Sequence, residues 1–163
     1  MQSAAAAKDK RIEIALRAWA PRFVASGVPL ADFEEVTGSL THWDDWCAAW
    51  SARAAIHEEI GRKALDDGYK ISAAGHLTRA ALCYHFGKFM FVHDLKQMKA
   101  AHDKVVECRN LALPHLTPPG ERVAIPYGEH KLYGVLRKPP GVAKPPVVII
   151  CVGLDSTKEE MDF

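Results

Sequence analysis

The chain has 163 residues, enough to bury a real core as one ordinary domain, or as one small domain plus part of another. Its 21 lysines and arginines nearly balance 20 aspartates and glutamates with no long basic run, which excludes the electrostatic footprint of a nucleic-acid binder and favours a small-molecule partner. No apolar run approaches the roughly 18 residues of a spanning helix, and the opening MQSAAAAKDKRIEIALRAW lacks the unbroken apolar stretch of a signal peptide, so a cytoplasmic chain without a membrane segment is expected.

From about Ala7 to Leu113 the pattern is helical. Ile12, Leu16, Trp19 and Phe23 recur at three- and four-residue steps, with Lys10, Glu13 and Arg17 on the other side, and Gly27 with Pro29 stops this helix. Leu30 to Val36 is a short amphipathic piece. Thr41-His-Trp-Asp44 resembles a capping box opening a longer helix, with Trp43, Trp46, Trp50, Ala54 and Ile60 along one stripe and Gly68 at its end. SAAGHLTRAALCYHFGKFMF, from Ser72 to Phe91, is apolar around most of its circumference and is expected to run through the middle of the bundle. Asp94 and Gln97 form a cap pair for a last helix that carries Leu95, Met98, Val105 and Cys108 inward and Lys96, Lys99, Asp103 and Glu107 outward, up to Pro114. The cysteines, Cys47, Cys83, Cys108 and Cys151, contain no CxxC pair and read as buried free thiols of a reducing compartment.

After LPHLTPPG the pattern changes. Glu121 to Pro126 and Lys131 to Arg137 alternate around Tyr127-Gly128-Glu129, which predicts an antiparallel hairpin. KPPGVAKPP then makes an extended connection, because consecutive prolines refuse both helix and interior ladder. Val147 to Val152 is apolar without alternation, the pattern of a strand covered on both faces. Gly153 permits a tight bend, and Ser156-Thr-Lys-Glu159 reads as a capping box that starts a helix. A parallel partner for such a strand would need a crossover of about a dozen residues or more, so the chain is expected to be the front part of a longer α/β protein.

A glycine turn between a buried strand and a helix exposes backbone N–H groups where an anion or a developing oxyanion can sit. Neither GxGxxG nor GxxxxGK[ST] is present and Lys158 is the nearby cation, so the oxyanion reading fits better than a phosphate cradle. Ser156 reads as a helix cap rather than a nucleophile. His57, His76, His85, His93 and His102 lie on predicted helices without the i, i+4 spacing of an HExxH site, and no metal ligand set is assigned.

PPVVIICVGLDSTKEE resembles the P-P-V-V-I and G-G-L-D-S-x-K-E-E segments of α/β hydrolases that carry an N-terminal helical region. Gly75-His76 to Tyr84-His85 is similar to that family's G-H…R-A-A…Y-Y stretch, and the Pro126 to Pro139 hairpin has its L-x-G step at Leu132 to Gly134. The GLDSTKEE block is the most specific part. The resemblance implies an α/β-hydrolase fragment. Residues 1–115 would be a helical, cap-like region; residues 116–163 would begin the hydrolase core with the β-hairpin and the first buried core strand, stopping before the nucleophile elbow. It also implies a serine nucleophile in GxSxG, then an acid and a histidine, with hydrolysis of an ester-like bond or a C–C bond next to a ketone through an acyl-enzyme, using no metal or organic cofactor.

No GxSxG occurs here, so the nucleophile, acid and histidine have no residues to be assigned to, and the chain is expected to be inert alone. By the same resemblance the backbone N–H groups of Gly153, Leu154 and Asp155 are the early-loop part of the oxyanion hole, with Val152 standing where the family has another glycine. Tyr84 and His85 would face substrate; the plainer reading is a buried tyrosine whose hydroxyl finds a partner in the bundle. A helical protein-interaction module with a terminal tail is the alternative class. Self-association into a homo-oligomer through an uncovered strand stays open.

Overall fold

Asp9 starts the first helix, its carboxylate accepting the backbone N–H of Arg11 at 2.8 Å. In the computed structural model, which describes residues 8–153 and 156–161, this helix, α1, spans Lys10–Ala25. Gly27 follows at φ 107°, a left-handed conformation glycine reaches freely, and the chain reverses into α2, Leu30–Ser39. A 3₁₀ turn at Trp43–Asp45 leads into α3, Trp46–Asp66. Gly68, at φ 83°, turns the chain back into α4, Lys70–Phe89. α5, Leu95–Ala112, begins at the cap pair read from the sequence: Asp94 Oδ1 accepts from the N–H groups of Lys96 and Gln97 at 3.0 Å each, and Gln97 Nε2 donates to Oδ2 at 2.9 Å.

The α4 helix occupies the centre, packed against α3 on one side and α5 on the other, as its nearly continuous apolar circumference requires. The core gathers around Phe23 of α1, which stacks on Phe86 of α4 at 3.8 Å between centroids and meets Phe33 and Trp50 edge-on at 5.5 and 5.4 Å. Trp46 Nε1 donates to the Phe86 carbonyl at 3.1 Å, so a buried indole is satisfied and α3 is keyed to α4. Three local expectations fail. Thr41-His-Trp-Asp44 makes no side-chain cap, and the chain winds first as the 3₁₀ turn. The apolar part of the tryptophan stripe ends at Ala54: the buried face of α3 continues through Glu58 and Gly61, and Ile60 is exposed. Leu95, the first residue of α5, is also exposed, whereas Val105 and Cys108 are fully buried.

A second 3₁₀ turn, Leu113–His115, hands over to β1, Gly120–Tyr127, and β2, His130–Arg137, paired antiparallel from Gly120 opposite Arg137 to Tyr127 opposite His130. Gly128, at φ 57°, takes the first position of the two-residue turn. Arg137 fastens the base of the hairpin, donating from Nε and Nη2 to the Pro118 carbonyl at 3.0 and 2.8 Å.

Beyond the hairpin the sequence expectation is corrected. Val147 to Val152 joins no ladder, and Val147 and Ile149 are 82% and 83% exposed. A strand buried on both faces needs strands beside it, and among the described residues β1 and β2 pair only with each other. The first buried core strand is therefore not formed within the described chain.

The contact between α3 and α4 is close enough to test. A Cβ at Gly61 would stand 2.7 Å from Leu77 Cγ and 3.1 Å from the Leu77 backbone nitrogen, whereas nothing lies within 4 Å of one at Gly75. Gly61→Val is expected to lower the urea-unfolding free energy by about 1–3 kcal/mol through overpacking. Gly75→Ala, in the interior of α4 with open space around it, is expected to raise it by roughly 0.5–1 kcal/mol.

Candidate functional site

Of the three residues assigned to an oxyanion loop, Gly153 lies within the described chain, while Leu154 and Asp155 lie outside the described residues. Gly153 is exposed and its φ is not positive, so the left-handed bend open to glycine is not used there. Its carbonyl accepts the Ser156 N–H at 3.3 Å. The residues that follow form turns: Glu160 N–H reaches the Thr157 carbonyl at 3.1 Å and Met161 N–H the Lys158 carbonyl at 3.3 Å. Among the described residues the helix expected from Ser156 does not begin, and the two side chains of the supposed capping box go elsewhere. The Ser156 hydroxyl donates forward to Glu160 Oε2 at 2.9 Å, and Glu159 pairs with Lys158.

Glu160 is the centre of this segment. Its side chain is only 4% exposed and sits in a groove between α1 and α4. Arg22 of α1 grips it bidentately, Nε to Oε1 at 2.8 Å and Nη2 to Oε2 at 2.9 Å, and Ser26 adds a long contact at 3.4 Å. The Arg22 guanidinium lies in turn over the rings of Phe89 and Trp19, at 4.7 and 5.2 Å from their centroids. Burial pushes the Glu160 carboxyl up, but its contacts to His85, Arg22 and Ser156 outweigh that and hold it well below the usual carboxylate range. Arg109 of α5, itself buried, supplies a second clamp, donating from Nη2 to the Met161 carbonyl at 3.0 Å and from Nη1 to Thr78 Oγ1 at 3.3 Å.

His85 on α4 completes the groove. It is fully buried between the two halves of the turn, Nδ1 3.4 Å from Thr157 Oγ1 and Nε2 3.2 Å from Glu160 Oε2 and off hydrogen-bond alignment. Burial lowers its basicity, the Glu160 carboxylate offsets part of that, and Lys88 and Arg22 add to the lowering. The ring is therefore neutral near pH 7. A carboxylate can only accept, so the tautomer that suits both neighbours carries its proton on Nε2 and accepts from Thr157 at Nδ1.

Tyr84, the preceding residue, faces elsewhere. Its hydroxyl donates to Glu58 Oε2 at 2.9 Å, and Glu58 also receives Arg62 Nε at 2.8 Å and Lys104 Nζ at 2.9 Å. Burial, then the Glu58 contact, pushes the phenol up, so Tyr84 stays protonated. The structure thus does not bring Tyr84 and His85 to one point. Tyr84 has the bundle partner of the plainer reading, and His85 touches the GLDSTKEE block.

A third cluster joins α2, α3 and α4. His57 Nε2 lies 2.6 Å from Asp32 Oδ2, and His57 Nδ1 lies 3.2 Å from His76 Nδ1. Among the described residues no group of three metal-ligating side chains converges. Cys47, Cys83 and Cys108 are buried free thiols; burial pushes Cys83 and Cys108 up to about 12, which makes them poor nucleophiles, and Cys151 is exposed. No helix among the described residues is long and apolar enough to cross a membrane. Arg22, Glu160 and Arg109 are the residues that sequence reasoning missed. The one available signal was the pair of acids closing the GLDSTKEE block with a single adjacent lysine.

No protein-family profile matches the chain. It is 30% identical over 146 residues to the α/β hydrolase xenA of Xenoacremonium sinensis, a match that covers 85% of this chain and 34% of that protein. With the 2,6-dihydropseudooxynicotine hydrolase of Paenarthrobacter nicotinovorans it shares 32% identity over 115 residues, which is 71% of this chain and 31% of the relative. The crystal structure of 2,6-dihydroxy-pseudo-oxynicotine hydrolase superposes with a TM-score of 0.74 at 28% identity, covering 85% of this chain and 39% of that one. The chain thus spans about a third of the length of the curated relatives it matches. Its sequence and the path of its backbone agree that this chain has the fold of part of an α/β hydrolase.

Proposed function

We propose that the chain contributes the helical, cap-like region (residues 1–115) and the opening of the catalytic core (residues 116–163) to a serine-dependent α/β hydrolase of the cytoplasm. The observation that carries this reading is the joint match, in sequence and in backbone, to part of 2,6-dihydroxy-pseudo-oxynicotine hydrolase. The seating of Thr157, Glu160 and Met161 against α4, α1 and α5 supports it further, because it brings the end of the GLDSTKEE block to the helical region.

In this reading the nucleophile is a serine outside the chain. It attacks the carbonyl carbon of an ester-like bond or of a ketone, and the carbonyl oxygen gains negative charge. Backbone N–H groups from Gly153, Leu154 and Asp155 meet that charge, the loop's contribution being larger in the transition state than in the ground state. The leaving group departs with the bonding electron pair and takes a proton from the histidine of the triad, and water then releases the acyl group from the serine. The near balance of charge in the chain suits a small neutral substrate. His85 contributes by packing against Thr157 and Glu160, and Tyr84 by its bond to Glu58 within the bundle.

Two outcomes follow. The purified 163-residue chain is expected to release no burst of nitrophenol from nitrophenyl acetate, since it holds no GxSxG; a stoichiometric burst would overturn the assignment of the nucleophile to another segment. Sequencing the reading frame past Phe163 is expected to reveal GxSxG within roughly 100 residues. A stop codon directly after Phe163 would count against the hydrolase reading.

A further inference from the structure

A connected set of contacts runs from the helical region into the loop that begins at Gly153. Arg22 of α1 holds the Glu160 carboxylate, with His85 Nε2 of α4 3.2 Å from it; Glu160 Oε2 accepts the Ser156 hydroxyl at 2.9 Å; and the Ser156 N–H returns to the Gly153 carbonyl at 3.3 Å. Each link is polar, and the carboxylate at their centre is nearly excluded from water. Glu160 and Gly153 share no helix or strand, and the described side-chain path between them runs through Ser156.

We propose that Glu160 is a positioning residue for Gly153 and Ser156, the described residues of the loop, tying them to the helical region through the Ser156 hydroxyl on one side and the Arg22 guanidinium on the other. The inference rests on the reading of that loop as an oxyanion loop. Its physical basis is that an N–H donor must be held close to the place where charge develops, and misplacement by about 1 Å can cost on the order of 10²-fold in rate. The groups facing His85 are Glu160 from the turn, Lys88 from its own helix and Arg22 from α1. Replacing Glu160 by glutamine removes the one of these that favours the protonated ring.

The test uses backbone ¹⁵N relaxation on the 163-residue chain. The Gly153 and Ser156 amides are expected to have order parameters near about 0.85 in the unaltered chain and to fall below about 0.6 in Glu160→Gln and Arg22→Ala, with Arg22→Lys restoring part of the order. The amides of Leu77 and Val105 serve as the fold control, and the His85 ring is expected to titrate at lower pH in Glu160→Gln. Should Glu160→Gln fail to fold, Ser156→Ala cuts only the last side-chain link and is expected to loosen the same two amides. Unchanged order parameters in a folded variant, or a loop already mobile in the unaltered chain, would overturn the proposal. In the enzyme encoded by the frame past Phe163, Glu160→Gln is expected to lower kcat about 10²-fold with little change in KM; an unchanged kcat overturns the positioning role. A frame without GxSxG would defeat the hydrolase reading instead, and the relaxation result would still decide whether Glu160 orders the loop.

Discussion

A carboxylate taken out of water must be met by charge and by hydrogen bonds, and in this chain that requirement falls on Glu160. Arg22 answers it with a bidentate grip and Ser156 with a hydroxyl, and the buried His85 ring packs beside it. Removing one partner from such a buried pair typically costs about 3–5 kcal/mol, because the other charge is left uncompensated. The arrangement ties residues 138 positions apart, so the last described turn is anchored to the first helix. Arg109 adds a clamp on the Met161 carbonyl from the last helix.

The α4 helix is the element that makes this possible. Its apolar circumference puts it at the centre of the bundle, and two adjacent polar residues then find themselves buried against different neighbours. Tyr84 turns to Glu58, which is held by Arg62 and Lys104 at the α3–α5 side. His85 turns to Thr157 and Glu160 at the α1 side. Both residues meet polar neighbours, as buried polar groups must. One helix thus carries a stabilising network within the bundle and a docking contact for the terminal turn.

Much of this fold was legible because it is local. The period of Ile12 and Phe23, the Asp94–Gln97 cap and the alternation flanking Gly128 each act over a few residues, and each produced the expected element. The central place of α4 was legible for the same reason, from its own composition. The failures are of another kind. Ser156 and Glu159 have the spacing of a capping box, yet the Ser156 hydroxyl donates to the buried Glu160 carboxylate, and among the described residues no helix follows for it to cap. The partner of Glu160 lies in α1, and no local pattern connects a glutamate near one end of a sequence with an arginine near the other. The family resemblance marked the block as important but could not say what it touches.

The residues between the hairpin and the docked turn show what these two attachments leave undone. Arg137 fixes the base of the hairpin to Pro118, and Glu160 with Met161 is fixed to α1 and α5, so the intervening chain is held at both ends. Between them Val147, Val148, Ile149 and Ile150 are exposed, and an apolar run of that kind gains roughly 25 cal/mol for each Å² of surface it can bury. The side chains of Val148 and Ile150 border a crevice shared with Arg109, Val135, Leu136 and Met161, which is too open to cover them. What the run lacks is a strand on either side, since backbone N–H and C=O groups must be paired before a sheet can bury both faces. One flank of the run is tied to the helices through Glu160 and Met161 and the other to Pro118 through Arg137, so a sheet that adopted Val147 to Val152 would build on a segment with both flanks already bonded.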